Sequence, residues 1–439
     1  MKSSITCDME GRILTMNDAA EIIFGYKKEE LINKKRVSIF SPGEIVLQNV
    51  AGWLDQAVKK GEYTGETQFV HKDGSIINAK IRITPTFSDG KDNPQTGYCG
   101  ITEVKEEKVD VQIKFSTKLI KALAITRMPF LSACIMPVLV GGAYNRIILE
   151  NPNPLSFYLI LIGVCLLHLA SNVMNDYFDV KDGTDEANNN YFQQYSGGSR
   201  AVELGLISLQ GTKKLATILY FFAALIGVLL YIISDQNINI LILGFIGLLI
   251  GYFYTAPPFR FVARRGVGEL FIALAFGPLI TLGTVVAMST GGVAFDFLSA
   301  TYFIPSLLIG LPCGLLTANI LLINEFPDAE SDATTGKNHL IVAFGKEKGV
   351  FIYGFILLSS IFSLWYLSGD KVIEGLKTFT SFSINGLHVL TFILAIFGVK
   401  IFLNIKKNYQ KRSLVNSNVH TIMLSAFVGL MMALVIRYL

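Results

Sequence analysis

The stretch "HLASNVMNDYFDVKDGTDE", residues 168–186, begins as the end of an apolar run. It then sets five carboxylates (Asp176, Asp179, Asp182, Asp185 and Glu186) against one lysine, Lys181. A second apolar run ends the same way, in "LLINEFPDAESDATTGKNHL" at residues 321–340, with Glu325, Asp328, Glu330 and Asp332. Charge placed where lipid ends is costly unless it is paired, solvated or bound to an ion. The fold and the function both turn on whether these two stretches share one side of a membrane.

The 439-residue chain is 51% hydrophobic and 16% charged, against about 25% charged in soluble domains. Apolar runs recur from about residue 129 onward, near 128–146, 155–176, 213–234, 237–256, 267–289, 299–323, 348–368, 385–404 and 418–438. Each is long enough for a hydrocarbon core of about 30 Å. An all-α bundle of about nine transmembrane helices is expected. Lysine and arginine concentrate before the first run and after the second, fourth, sixth and eighth. By the positive-inside bias those loops and the N-terminus are cytoplasmic and the C-terminus is outside, in a multi-pass protein of the inner (cytoplasmic) cell membrane. Both acidic stretches then lie at the cytoplasmic face. No cleavable signal peptide is expected, because "MKSSITCDMEGR" has no apolar core. The five cysteines form no CxxC pair, so neither a zinc site nor a disulfide framework is expected. No nucleic-acid partner is implied.

Two facing sets of carboxylates repel unless a cation lies between them. Their hard oxygens suit Mg²⁺, which usually arrives with substrate phosphates. Asn175 and Asp179 are four apart, and Asn324, Asp328 and Asp332 repeat that spacing, so each set shares one helix face. Asp185 lies beyond Gly183, so the helix must end before it. Pro327 implies a kink or broken turn in the second motif. Asp176, Asp182, Glu325 and Glu330 are expected to face solvent or to support the ligands. Lys181, Arg200, Arg260 and Lys337, on the cytoplasmic loops, are the cations a diphosphate needs. The pattern points to a pocket for a lipid diphosphate in the bilayer.

Residues 1–104 are polar and mixed. "GRILTMN" suits a strand, "DAAEIIFGYKKEELI" a helix capped by Asn17 or Asp18 and interrupted at Gly25, and "GEYTGETQFVHKDGSIINAKIRITPTF" a hairpin turning at Lys72-Asp73-Gly74. "TGYCGITEV" closes as a last strand. The order of "DMEGRILTMNDAAEIIFGYKKEEL", "HKDGS" and "GYCGITE" resembles a PAS domain, a small soluble α+β fold. Its ligand or partner is not named by the sequence. Residues 105–121 are expected to be a charged linker, and residues 122–439 the transmembrane domain.

"NDYFDVKDGTD" and "NEFPDAESD" resemble the two aspartate-rich motifs of UbiA-type intramembrane aromatic prenyltransferases. "TRMPF", "GGSR", "YTAPPFR", "GVGEL" and "TTGKNHLIVAFG" agree. The resemblance covers residues 115–439 and is nearest to the 1,4-dihydroxy-2-naphthoate polyprenyltransferases of menaquinone biosynthesis. It implies Mg²⁺-dependent transfer of a polyprenyl group from its diphosphate to an aromatic acceptor. It implies metal-site roles for Asn175, Asp179, Asp185, Asn324, Asp328 and Asp332, with Asp179 and Asp328 central to catalysis. It implies substrate-binding roles for Arg127, Lys181, Arg200, Arg260 and Lys337. "TRMPF" departs from the family's more usual Arg-Pro, which leaves Arg127 open between diphosphate and acceptor. The alternatives are another acceptor such as 4-hydroxybenzoate, or a PAS-headed membrane sensor without chemistry. A CDP-alcohol phosphotransferase lacks support, since its single DG…AR…G…D cluster is absent.

Overall fold

The computed structural model describes residues 1–88, 94–148, 152–184, 198–289, 303–368 and 381–437. They divide into two compact units, Met1–Ile125 with Arg200–Leu209, and Thr126–Ser199 with Gln210–Leu439.

In the first unit, β1 (Lys2–Asp8), β2 (Ile13–Met16), β3 (Tyr63–Val70), β4 (Ile76–Phe87) and β5 (Gln95–Val104) form one antiparallel sheet in the order β2-β1-β5-β4-β3. The helix α1 (Asp18–Phe24) starts at Asn17, whose Oδ1 accepts the Ala20 N–H, and stops at Gly25 with φ 77°. That left-handed φ is glycine's to supply. After α2 (Lys28–Leu31), α3 (Ala51–Lys60) covers the sheet with Trp53 and Ala57. Phe24, Phe40 and Phe69 fill the core, with ring centroids 4.2 and 5.6 Å from Phe24. The expected hairpin turns at Gly74, φ 88°. The strand at Lys2–Asp8 was not anticipated; it lies between β2 and β5.

The segment after β5 is tied down. Asn78 Oδ1 accepts the Val109 N–H at 3.1 Å, and Gln68 donates to the Val109 carbonyl at 2.7 Å. Gln48 Oε1 accepts from the Lys114 N–H and the Thr117 hydroxyl, both at 2.8 Å. The helix α4 (Phe115–Thr126) follows, with Lys121 paired to Glu44. Residues 200–209 pack in this same unit: Leu204 and Leu206 lie against Gly43, and Ala201 and Leu206 are buried.

The second unit is helical. It runs through α5 (Ser132–Ile148), α6 (Pro154–Lys181), α7 (Leu209–Ile233), α8 (Ile238–Phe253), α9 (Val267–Met288), α10 (Phe303–Thr334), α11 (Leu340–Phe344), α12 (Lys346–Leu367), α13 (Ser381–Asn408) and α14 (Leu414–Arg437). Among the described residues, seven of these are long and apolar enough to cross a membrane; α5 and α8 are shorter apolar helices where the first and fourth spans were expected. Phe221, Phe351, Phe355, Phe362 and Phe392 stand exposed on the helices. So much outward aromatic surface requires a lipid solvent. The protein is a multi-pass membrane protein.

The most enclosed span is α10, 72% buried along its apolar stretch against 17% for α7. It packs on α5, α9, α12 and α14. Gly310 and Gly314 make a GxxxG pair on α10, and Gly277 faces them from a π-turn of α9 over Ala275–Leu279. A Cβ at Gly310 would lie 2.6 Å from the Gly277 carbonyl carbon, and one at Gly314 would overlap the Ala273 carbonyl. In lipid, where burial of apolar surface drives little association, such backbone approach is what joins helices. The helix continues through Pro327, so the broken turn expected there is not found; a proline removes one hydrogen bond, and the packed neighbours hold the helix on both sides of it.

Gly314→Val should therefore disrupt the bundle, since overpacking a tight contact costs about 1–3 kcal/mol or more. Gly283→Ala, where a Cβ meets nothing within 4 Å, should not. The share of monodisperse protein in detergent gel filtration checks both.

Candidate functional site

Between the helices lies a cavity of about 600 Å³. Most of its wall is apolar, from residues such as Leu167, Phe245, Leu248, Phe276 and Ile320. One part is not: Asn175, Asp179, Asn324, Glu325, Asp328 and Asp332 line it together with Arg127, Lys337 and His339. The two acidic motifs, about 150 residues apart in sequence, thus open into one space.

Local structure explains the meeting. The helix α6 ends at Lys181, and Gly183 has φ 76°, as the spacing to Asp185 required. Asp185 itself lies outside the described residues. Thr184 donates to Thr335 at 3.1 Å, which ties the end of α6 to the end of α10. Asn175 donates to Asp179 at 2.9 Å across one helical turn. From α14, Asn418 donates to the Asn324 side-chain oxygen.

The two motifs share a cation from the chain itself. Lys337 Nζ lies 2.6 Å from Asp179 and 3.7 Å from Asp332, with all three side chains less than one-tenth exposed. His339 adds a second bridge, Nε2 at 3.1 Å from Asp332 and Nδ1 at 3.2 Å from Glu325. Burial pulls His339 down, but Glu325 and Asp332 outweigh it and hold it up to about 10. The Nδ1–Glu325 approach is an ion contact rather than an aligned hydrogen bond, since Glu325 Oε2 makes none among the described residues.

Glu325 and Asp176 were expected to face solvent or to support the ligands; both are buried, and Asp176 accepts the Ser199 N–H at 3.2 Å. Glu330 is exposed and paired with Lys346. Of the other predicted cations, Lys181 is exposed, and Arg260 pairs with Asp182 at 2.7 Å. Arg200 pairs with Glu203 at 3.0 Å within the first unit. None of these three lines the cavity. Yet Arg127, Arg200 and Arg260 have φ of 54°, 53° and 42°, half of the six positive-φ residues other than glycine among those described. Arginine gains nothing intrinsic there, and the conformation costs roughly 1–2 kcal/mol. Such strain persists where the surroundings need the residue placed.

The donors suit a hard divalent cation. They are carboxylate and amide oxygens from two facing helices, and the place between them already holds an ammonium group.

Residues 134–418 match the UbiA prenyltransferase family. The chain belongs to this family. Residues 2–106 match the PAS domain. A 1,4-dihydroxy-2-naphthoate octaprenyltransferase of Bacillus subtilis (strain 168) is 28% identical over 244 residues, 55% of this chain and 70% of that protein. The Escherichia coli (strain K12) protein of the same name is 28% identical over 250 residues, 55% and 71%. The apo structure of a UbiA homolog from Aeropyrum pernix K1 shares the fold, with a TM-score of 0.52 at 15% identity over 72% of this chain and 99% of that one. The protein is a UbiA-type prenyltransferase with an N-terminal PAS domain, and a sensor without chemistry is set aside.

The sequence reading passed over one residue of this prenyltransferase. Glu269, in "GVGEL", is buried with one carboxylate oxygen near Glu325 and His339. The only signal was an acidic residue in an otherwise apolar helix start.

Lys337→Met should lower the thermal midpoint of the detergent-solubilised protein in divalent-free buffer, since breaking a buried ion pair costs roughly 3–5 kcal/mol. Added Mg²⁺ should recover more stability in the variant than in the native protein. Differential scanning fluorimetry with and without chelator measures both.

Proposed function

We propose that the protein transfers a polyprenyl group from polyprenyl diphosphate to 1,4-dihydroxy-2-naphthoate, with Mg²⁺, at the cytoplasmic face of the cell membrane in menaquinone biosynthesis. The observation that carries this is the buried Lys337 bridge between Asp179 and Asp332, at the polar part of an otherwise apolar cavity. It supports a headgroup site that concentrates charge beside a wall suited to hydrocarbon.

Asn175, Asp179, Asp185, Asn324, Asp328 and Asp332 would hold the metal. Bound magnesium would supply Lewis-acid stabilisation of the diphosphate as the allylic C–O bond breaks. Lys337 and Arg127, both on the cavity wall, would orient phosphate oxygens, and Lys181, Arg200 and Arg260 would add positive field. The apolar wall keeps water from the allylic cation. The new C–C bond forms at the carboxyl-bearing ring carbon. The C–C bond to the carboxylate then breaks, CO₂ leaves and its electron pair restores the aromatic ring, so that carbon needs no base. Relatives named for 1,4-dihydroxy-2-naphthoate support this acceptor over 4-hydroxybenzoate.

Asp179→Ala and Asp328→Ala should each reduce turnover by at least about a hundredfold with folding intact, because charge stabilisation at the leaving group is among the largest catalytic effects. Turnover of labelled prenyl diphosphate with a panel of acceptors tests this in detergent. Product mass decides the acceptor: a product lighter than the simple adduct by one CO₂ supports the naphthoate, and retention of the carboxyl group overturns it.

The PAS domain is proposed to tune turnover while contributing no group to the chemistry. Its unit carries residues 200–209, and Arg200 directly follows Ser199, whose N–H is bound by Asp176. Gly43→Val would press on the Leu204 carbonyl and the Leu206 side chain. It should change turnover with the transferase helices intact by circular dichroism; native kinetics would remove the support for tuning.

A further inference from the structure

Glu269 lies in the first turn of α9, just after Gly266 with φ 76°, and is 4% exposed. A buried carboxylate is costly unless its oxygens are satisfied. No lysine or arginine forms a salt bridge with it among the described residues. The start of its own helix compensates part of the charge. Oε1 accepts the Leu340 N–H at 2.7 Å. Oε2 has no hydrogen-bond partner among the described residues, and a ligating atom of Glu269 lies within 4.8 Å of both Glu325 and His339.

Its position in the chain matters as much as its charge. Leu340 directly follows His339, which pairs with Glu325 and Asp332 of the second motif, and lies three residues after Lys337, which bridges the two motifs. The same loop is fastened at two more points: the Lys337 N–H to the Asp332 carbonyl at 3.0 Å, and the Asn338 N–H to the Ala263 carbonyl at 3.3 Å. Ala263 ends the turn that Arg260 begins. Gly268, beside Glu269, sits so close to this turn that a Cβ there would lie 3.1 Å from the Phe261 carbonyl oxygen and the Val262 Cα. The start of α9 therefore fastens two cation-bearing segments, the Arg260 turn and the Lys337–His339 loop. The first is held by backbone proximity and the second by one carboxylate.

We propose that Glu269 is a positioning residue of the transferase. Its carboxylate fixes the backbone at Leu340, and so sets Lys337 and His339 against Asp179, Asp332 and Glu325. This deepens the headgroup assignment above and rests on it for its kinetic consequence, but not for its structural one. What Glu269 supplies is a hydrogen-bond acceptor at a fixed place. Glutamine keeps that acceptor and the volume; alanine removes both.

The test uses full-length protein in detergent, with two readouts. The first is backbone hydrogen exchange of residues 335–344 in metal-free buffer, which needs no substrate. Glu269→Ala should raise exchange in that segment alone, and Glu269→Gln should leave it near native. The second is steady-state kinetics with prenyl diphosphate. Glu269→Ala should raise its KM by about tenfold or more, the usual scale for loss of a supporting hydrogen bond, with the acceptor KM unchanged, and Glu269→Gln should restore it. Native exchange in Glu269→Ala overturns the proposal, as does an increase spread over all the helices. A glutamine variant as impaired as alanine also overturns it, because charge and not the acceptor would then be what matters. If native protein turns over no prenyl diphosphate, the functional assignment fails while the exchange result still decides the positioning role.

Discussion

One cation bridging two acidic helices is the constraint on which the rest of the transferase unit depends. Asp179 and Asp332 are buried and carry like charge, so neither helix end could approach the other without compensation. Lys337 and His339 provide it, and both come from the five residues between α10 and α11. The consequence is geometric. The loop has to stay against the helix ends, and the helix ends have to stay level, which the Thr184–Thr335 hydrogen bond secures. The charge that creates the problem also selects the architecture that solves it.

The apolar part of the bundle meets a different demand. Lipid gives packed helices little reward for hiding apolar side chains, so contact must come from close approach and internal hydrogen bonds. The glycines of α9 and α10 meet the first requirement. Buried polar pairs such as Tyr353 with Thr421 at 2.8 Å, and Asn145 with the Val285 carbonyl at 3.2 Å, meet the second. With α10 held on several sides, Asn324, Asp328 and Asp332 are presented along one face of a helix that has little freedom to rotate.

Features set by local rules were legible in the sequence. The Asn17 cap, the break at Gly25, the turn at Gly74 and the end of α6 before Gly183 follow from side-chain capping and from left-handed backbone. The i,i+4 spacing of the motif residues placed them correctly on shared faces. What escaped notice depends on tertiary neighbours. Glu325 and Asp176 have the composition of solvated residues, and partners such as His339 and Ser199 make their burial tolerable. Pro327 resembles a helix breaker until both of its sides are packed. The strand β1 is polar at its start, and it is a strand because β2 and β5 flank it. Arg200 belongs to "GGSR" by sequence, but its companions in space are those of the first unit.

That last placement bears on how such a protein can be cut, fused or inherited. A boundary drawn along the chain near residue 110 separates the PAS sequence from the transferase sequence, yet residues 200–209 bury Ala201 and Leu206 with the PAS side. Removing the N-terminal part would leave those side chains without their cover, and a foreign sensor grafted in its place would meet a surface shaped for Gly43. A cut along the chain and a cut along the fold therefore differ by a ten-residue segment, Arg200–Leu209, that folds with the first unit.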